Sequence, residues 1–282
     1  MTASDPVPAI TEAEATGDIA AIYADIRATL GVPVVNLIWR YLATMPGALA
    51  WTWGSLRPLY ASGQVASAAA HLQGALDLPD LPPWPASALA AAGLDAAACT
   101  SIRQMLATYD RGNSLNLVAL SAFRAHARGE ADPTPLPATA PGTGIEASLP
   151  PLIPIGEMAP ALADLVHRLN AIGDPEQRVL ASLYRHLAHW PPFLALAWTR
   201  LAPLDAAGAV GPMIARNRET ARGIGRRLAA AIPARDVHLD PAVRAEAEAA
   251  VDLFIGYAIS RMVPLGAILS RSMPDQGGSV RS

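Results

Sequence analysis

Lysine and cysteine are the most informative absences in this sequence. All 21 basic residues of the 282-residue chain are arginine, which excludes Schiff-base chemistry and the phosphate-binding lysine of P-loops. The single cysteine, Cys99, excludes an internal disulfide and a cysteine-based metal cluster. We expect Cys99 to be a small buried apolar residue.

Charge is sparse as well. Charged residues make up 16% of the chain and the net charge is −3, so nucleic acid is not expected as a partner. Arg, His or Pro interrupts the longest apolar runs before the roughly 20 residues needed to span a bilayer. The N-terminus lacks the basic-then-apolar pattern of a secretory signal. We therefore expect a cytoplasmic protein with no membrane partner.

The histidines do not form a metal motif. His186 and His189 are three residues apart, but the segment HLAH lacks the glutamate of the zinc motif HExxH. Neither a metal nor another cofactor is predicted.

The composition that is present favours helices. Hydrophobic residues make up 52% of the chain and aromatics only 5%. Alanine and leucine predominate over β-branched runs, which is typical of an all-α protein. The spacing predicts a first helix from a capping box at Thr11 and Glu14 to Leu30, and further helices over about 33–44, 46–63 and 65–76. It also predicts two helices over about 95–109 and 113–127, separated by a break at residues 110–112.

One stretch of sequence occurs twice, at an offset of 145 residues. Residues 37–63 and 182–208 are identical at 12 of 27 positions. The matches include residues that rarely coincide by chance: Arg40/Arg185, Pro46/Pro191, Trp53/Trp198, Pro58/Pro203 and Gly63/Gly208. We expect two pseudo-symmetric helical repeats in one globular body, with a ligand site between them.

The offset also sets the predicted domain boundaries. The N-terminal helical repeat covers 1–128, a Pro/Gly-rich linker covers 129–148, the C-terminal helical repeat covers 149–272 and a disordered tail covers 273–282.

Three arginines share one helix face in the second half. Arg218, Arg222 and Arg226 are spaced i, i+4, i+8, and this face could meet water, an anion or an acidic partner surface. Residues 71–82 contain Asp77 and Asp80 but no arginine, so the halves, or two subunits, could pair there.

Three segments carry a resemblance to a known family: TEAEATGDIAAIYADIRATLGVPVVNLIWRYLATMPGAL, DRGNSLNL and ASLYRHLAHWPPFL. Together they resemble the group I (DehI-type) 2-haloacid dehalogenases over nearly the whole chain. The resemblance implies an all-α tandem-repeat fold, a homodimer and a small-molecule substrate that is a 2-haloacid or another small carboxylic acid. It also implies that an aspartate activates a water, which attacks C2 of the haloacid directly and releases halide with inversion.

The resemblance can be carried over residue by residue. The helper asparagine of the family matches Asn113, and the serine beside its catalytic aspartate matches Ser182. The aspartate itself falls at Leu183, and two aromatic pocket positions fall at Val34 and Leu37. The repeat mates Trp39 and Tyr184 flank these positions and are further candidates for substrate binding.

Leucine cannot accept a proton, so the identity of the catalytic base is unknown from the sequence. His186 lies three residues after Leu183 and is a possible substitute; Asp110 and Asp252 are others. The alternative function is a catalytically inactive or small-apolar-ligand-binding member of the fold. An AhpD-like redox helper, which the stretch after Leu187 also resembles, would need the CxxC pair that a single cysteine cannot supply.

Overall fold

The computed structural model describes residues 6–140, 142–233 and 239–274. Within these ranges the chain is helical and contains no β-strand, which confirms the all-α prediction. The α-helices there are α1 Gly17–Leu30, α2 Leu37–Leu42, α3 Ala48–Ala61, α4 Gln64–Gly74, α5 Ala86–Ala91, α6 Ala96–Ala127, α7 Pro160–Ala171, α8 Ser182–Leu187, α9 Pro191–Ala206, α10 Val210–Ala229, α11 Pro241–Leu253 and α12 Ile259–Ser272. A 3₁₀ turn, Ile155–Glu157, precedes α7, and a π-helical turn, Phe254–Ala258, joins α11 to α12.

Helix α6 corrects one prediction. The expected break at residues 110–112 is absent, and α6 runs unbroken for 32 residues. Gly112 lies inside it, where a Cβ atom would come within 2.9 Å of Asn36 Oδ1. The glycine that suggested a helix end is therefore explained by close packing against a neighbouring side chain, a constraint that local sequence does not reveal.

Helix α2 is shorter than predicted. It begins at Leu37 rather than near Pro33, because its N-cap Asn36 is non-helical, with ψ at 150°. The backbone N–H of Val35 donates to Glu12 Oε1 at 2.9 Å. This contact from a distant segment fixes the start of α2 and the position of Asn36 just ahead of it.

Two apolar cores are built from both halves of the chain. The first contains residues of α1–α4, the C-terminal part of α6, the end of α10, and α11. The second contains α5, the N-terminal part of α6, α7–α9 and the end of α12. Helix α6 thus passes from one core into the other, and the stretch from α11 to α12 does the same. Because both stretches pass from one core to the other, the two halves of the chain meet at the centre of the molecule.

Helices α6 and α10 pack closely along their length. A Cβ atom at Gly225 would lie 2.6 Å from the Ser121 Cβ atom, so only glycine allows this approach. Nearby, Arg216 of α10 forms an ion pair with Asp77 after α4, which places the predicted contact of residues 71–82 within the chain.

Cys99 is buried, as predicted. The continuous helical stretch Pro241–Ser272 is long and apolar enough to cross a bilayer, but 72% of its most apolar window is buried inside the protein. That degree of burial is typical of a core helix. Of the predicted tail, residues 273–274 are described and residues 275–282 lie outside the described ranges.

Candidate active site

A small cavity lies at the centre of the molecule, between the two halves of the chain. Its free volume is about 40 Å³, room for a few water molecules. We call it the central cavity, and its wall is mostly apolar. The lining residues come from the start of α2, the middle of α6, the start of α8 and the turn into α12: Asn36, Leu37, Ile38, Tyr109, Asn113, Val179, Leu180, Ala181, Ser182, Leu183, Phe254, Ala258, Ile259 and Met262.

The polar groups of this region come as three pairs of residues spaced i, i+4. Asn36 and Arg40 belong to α2 and its N-cap, Tyr109 and Asn113 to α6, and Ser182 and His186 to α8. Residues four apart lie on the same helix face. Each helix therefore directs two polar side chains toward the same point.

These side chains form a connected polar series. Arg40 Nη2 donates to Ser182 Oγ at 3.2 Å, and Ser182 in turn acts to lower the pKa of Tyr109. Tyr109 Oη lies 2.7 Å from His186 Nδ1. Arg40, Ser182 and His186 are all buried, so the series runs through the interior from a guanidinium to an imidazole.

The direction of the last hydrogen bond depends on which ring nitrogen of His186 carries the proton. The backbone of Pro150 acts to raise the pKa of His186, and it can do so only through its carbonyl, because proline has no backbone N–H. We assign the proton to Nε2, so that Nδ1 accepts from the Tyr109 hydroxyl.

The electrostatics keep His186 neutral. Burial, together with the positive charges of Arg40 and Arg185, lowers the pKa of His186 from 6.5 to about 4. Burial likewise raises the pKa of Tyr109 above its usual range, although Arg40 acts in the opposite direction. At neutral pH the site therefore contains a protonated phenol that donates to an uncharged imidazole.

A second polar contact lies on the other side of Tyr109. Asn36 Nδ2 donates to Asn113 Oδ1 at 3.4 Å, and both residues are buried. The Oδ1 atom of Asn36 is buried without a hydrogen-bond partner. A buried unpartnered amide oxygen is costly in a folded protein, and here it belongs to a residue that lines the cavity.

The structure brings together part of the set predicted from sequence. Leu37, Asn113, Ser182 and Leu183 line the central cavity, and His186 lies directly behind Tyr109. Val34, Trp39 and Tyr184 do not form part of its wall. Trp39 instead donates to Asn116 Oδ1 at 3.0 Å and packs edge-on against Trp53 in the first core.

The two acidic alternatives lie elsewhere. Asp110 accepts a hydrogen bond from Ser270 on another side of α6, and Asp252 binds Arg124 and Arg128. Neither lines the central cavity. Among the residues that the structure describes, no group of three His, Cys, Asp or Glu side chains is placed to hold a metal ion.

Sequence reasoning missed Tyr109 and Asn36. The available signal was the 145-residue offset: residues 36, 37, 38, 109 and 113 recur as 181, 182, 183, 254 and 258, and all ten line the cavity. Within these pairs, the polar residues at 36, 109 and 113 correspond to apolar residues at 181, 254 and 258, whereas polar Ser182 corresponds to apolar Leu37.

The structure belongs to the class of all-α proteins that enclose a buried site between two halves of the chain. Comparisons with known proteins identify its relatives. No family model matches the chain. The chain is 28% identical over 235 residues to a configuration-inverting 2-haloacid dehalogenase of Alcaligenes xylosoxydans xylosoxydans, an alignment covering 77% of each protein. It is also 38% identical over 55 residues to an (R)-2-haloacid dehalogenase of Pseudomonas putida, covering 19% of this chain and 18% of that protein.

Solved structures show the same fold. A D-2-haloacid dehalogenase mutant in complex with D-2-CPA matches with a TM-score of 0.74 at 19% identity, covering 96% of this chain and 97% of the other. D-2-haloacid dehalogenase in complex with L-LA matches with a TM-score of 0.74 at 18% identity, covering 96% and 99%. The resemblance to the 2-haloacid dehalogenases is thus confirmed, and this chain is a relative of the configuration-inverting enzymes.

Proposed function

We propose that this protein is a hydrolase that releases halide from short D-2-haloacids in the central cavity by direct attack of water with inversion at C2. One observation carries the proposal: the Tyr109–His186 hydrogen bond of 2.7 Å begins at the cavity wall. It supplies a proton acceptor where Leu183 cannot. The configuration is taken from the relatives, which are named as acting on D- or (R)-2-haloacids.

The proposed step balances as a proton relay. A water in the cavity attacks C2 as the carbon–halogen bond breaks, and the halide leaves with the bonding electrons. The water gives one proton to Tyr109 Oη while the Tyr109 hydroxyl proton passes to His186 Nδ1. The products are the inverted 2-hydroxy acid, halide and a protonated imidazole that later releases its proton to solvent.

The low pKa of His186 does not disqualify it as a base. A buried imidazole with a pKa of about 4 has the proton affinity of an ordinary carboxylate. It is therefore neutral, and able to accept a proton, over the whole physiological range. A well-placed general base of this kind typically contributes roughly 10²–10⁴ in rate.

The substrate carboxylate has a favourable electrostatic environment. Arg40 is buried, its Nε atom has no hydrogen-bond partner, and its charge acts on both Tyr109 and His186. An anion in the cavity would offset this buried positive charge. We assign Asn113 and Ser182 to hydrogen bonding of the substrate and Arg40 to the attraction of its carboxylate.

The size of the cavity restricts the substrate. A free volume of about 40 Å³ and a mostly apolar wall favour acids of two or three carbons. Longer chains would have to displace Leu183, Phe254 or Met262 from well-packed positions.

We also infer the assembly that the resemblance implies. The five residue pairs at an offset of 145 that share the cavity wall support a pseudo-symmetric tandem repeat. A homodimer and a cytoplasmic location are further parts of the proposal. Size-exclusion chromatography with light scattering would test the dimer.

The test of function is chloride release by the purified protein from D- and L-2-chloropropionate and from 2-chlorobutyrate. We expect turnover of the D-isomer, formation of L-lactate and weaker turnover of the longer acid. A folded protein that releases no chloride from any of them would instead support an inactive or apolar-ligand-binding protein, consistent with Leu183.

A further inference from the structure

A second, larger cavity lies near the C-terminal end of α6, between that end, the middle and end of α10 and the π-helical turn. Its free volume is about 480 Å³, within the range of small-molecule sites. We call it the arginine cavity. Its lining residues are Ser121, Arg124, Ala125, Arg128, Glu130, Arg218, Arg222, Arg226, Asp252, Ile255, Gly256 and Tyr257.

The charge of this wall is unbalanced: five arginines face two carboxylates. One carboxylate, Asp252, is shared, because both Arg124 and Arg128 donate to it. The other, Glu130, is 3.6 Å from Arg226 Nε. Outside the wall, Glu248 pairs with Arg124 and Glu219 with Arg222. The five arginines therefore meet four carboxylates and keep a small positive excess.

Arg218 and Arg222 are the least compensated of the five. Arg218 donates to the carbonyl of Gly256 at 2.8 Å, and no carboxylate of the described residues lies within ion-pair distance of it. Arg222 is 3.9 Å from Glu219 and its side chain is 56% exposed. Their guanidinium groups keep N–H donors for a ligand, in the fork geometry that suits phosphate and carboxylate.

Two further features of the cavity point to a ligand. Ser121, only 5% exposed, lines the wall, and its Oγ atom has no hydrogen-bond partner among the described residues. Tyr257 stands at the rim, 40% exposed, with the Arg178 guanidinium 3.2 Å from its ring centroid. The turn Phe254–Ala258, which joins α11 to α12 and contributes to the wall, is π-helical. This conformation is rare and is frequent at functional sites.

The geometry points to a binding site for a small molecule that carries phosphate groups, held by Arg218 and Arg222 with Arg124, Arg128 and Arg226 around it. The size of the cavity admits more than one phosphate. This site is separate from the central cavity, so it does not depend on the proposed dehalogenase activity.

The test is isothermal titration of the full-length protein with pyrophosphate and with inorganic phosphate in chloride-free buffer at about 0.15 M ionic strength. We expect saturable binding of pyrophosphate, weaker binding of phosphate, and a loss of roughly tenfold or more in pyrophosphate affinity for Arg222→Gln. The matched control is Arg216→Gln, which removes the same charge from the same helix but lies outside the cavity, beside Asp77.

Arg218→Gln provides a second variant, with circular dichroism to show that the helix content is unchanged. Binding that Arg218→Gln and Arg222→Gln both weaken, and Arg216→Gln leaves within twofold, supports the site. Absence of saturable pyrophosphate binding overturns it. Equal weakening by all three variants also overturns it, because that result reports only net charge.

Discussion

The central cavity and the arginine cavity share one wall and differ in nearly everything else. Phe254 and Ala258 of the π-helical turn face the central cavity, and Ile255, Gly256 and Tyr257 face the arginine cavity. The first cavity is small and mostly apolar, with its charge in a guanidinium behind the wall. The second is large and lined by guanidinium groups, of which that of Arg124 is buried and the others are at least partly exposed.

The difference shows how two cavities that share the π-helical turn can support two kinds of binding. In the central cavity, burial suppresses charge: it lowers the pKa of His186 and raises that of Tyr109. A low-dielectric site of this kind suits proton transfer to a neutral base. In the arginine cavity, solvent and the paired carboxylates of Glu248, Asp252 and Glu130 permit five like charges to coexist, and this arrangement suits an anionic ligand rather than chemistry.

The largest expected effect is on the proton relay. Tyr109→Phe removes one hydroxyl and should lower kcat/KM for D-2-chloropropionate by about 10²–10⁴. His186→Ala should cost a similar factor, and the two should not add, since they interrupt the same relay. Chloride release under initial-rate conditions measures both.

Tyr184→Phe is the matched control for this prediction. Its hydroxyl is buried without a hydrogen-bond partner, and it does not line the central cavity. Equal losses in Tyr109→Phe and Tyr184→Phe would show that the enzyme merely tolerates no change in its core.

The pH dependence should reveal the burial of His186. The neutral imidazole is the base, so activity is lost as the pH falls through its pKa, which is about 4. At pH 5 the enzyme should keep most of its activity, about thirtyfold more than an imidazole with the ordinary pKa of 6.5 would allow. A limb near pH 6.5 in the kcat/KM profile would contradict the neutral buried base.

A carboxylate restored at position 183 should compensate in part for the loss of the relay. Because Leu183 lines the cavity, Leu183→Asp in the His186→Ala background should recover roughly tenfold in rate. Leu183→Asn in the same background is the control for size and polarity. If the aspartate and asparagine variants are equally slow and both folded, position 183 does not reach the attacking water.

The smallest effect separates the two cavities. Arg222→Gln should leave kcat and KM for D-2-chloropropionate within about twofold, because surface charge changes away from a site rarely cost more than a few tenths of a kcal/mol. Steady-state kinetics without phosphate checks this. A large fall in kcat would mean that the exposed arginines belong to the reaction.

The sequence was sufficient for the helical class and for much of the site. Periodicity predicted α3 and α4 closely, whereas α1 begins at Gly17 and not at the capping box of Thr11 and Glu14. The 145-residue offset pointed to the region between the halves. The family pattern placed Asn113, Ser182 and Leu183, which meet at one cavity.

The rest depended on contacts between distant residues. Tyr109 and His186 are 77 positions apart, and neither residue carries a local signal that predicts the other. Gly112 reads locally as a helix end, yet its role is to admit Asn36. Val34 was carried over from the family pattern and lies before α2, outside the cavity wall. Trp39 and Tyr184 were chosen by adjacency in sequence, but helix rotation turns neighbouring residues away from the cavity.

Direct attack by water can be tested most directly by a single-turnover reaction in ¹⁸O-water with enzyme in excess over D-2-chloropropionate. We expect ¹⁸O in the lactate of the first turnover and no label in the protein. The relay through Tyr109 and His186 activates solvent, and no carboxylate of the described residues lines the cavity. Unlabelled lactate in the first turnover would contradict this, since its oxygen would have come from a carboxylate of the protein.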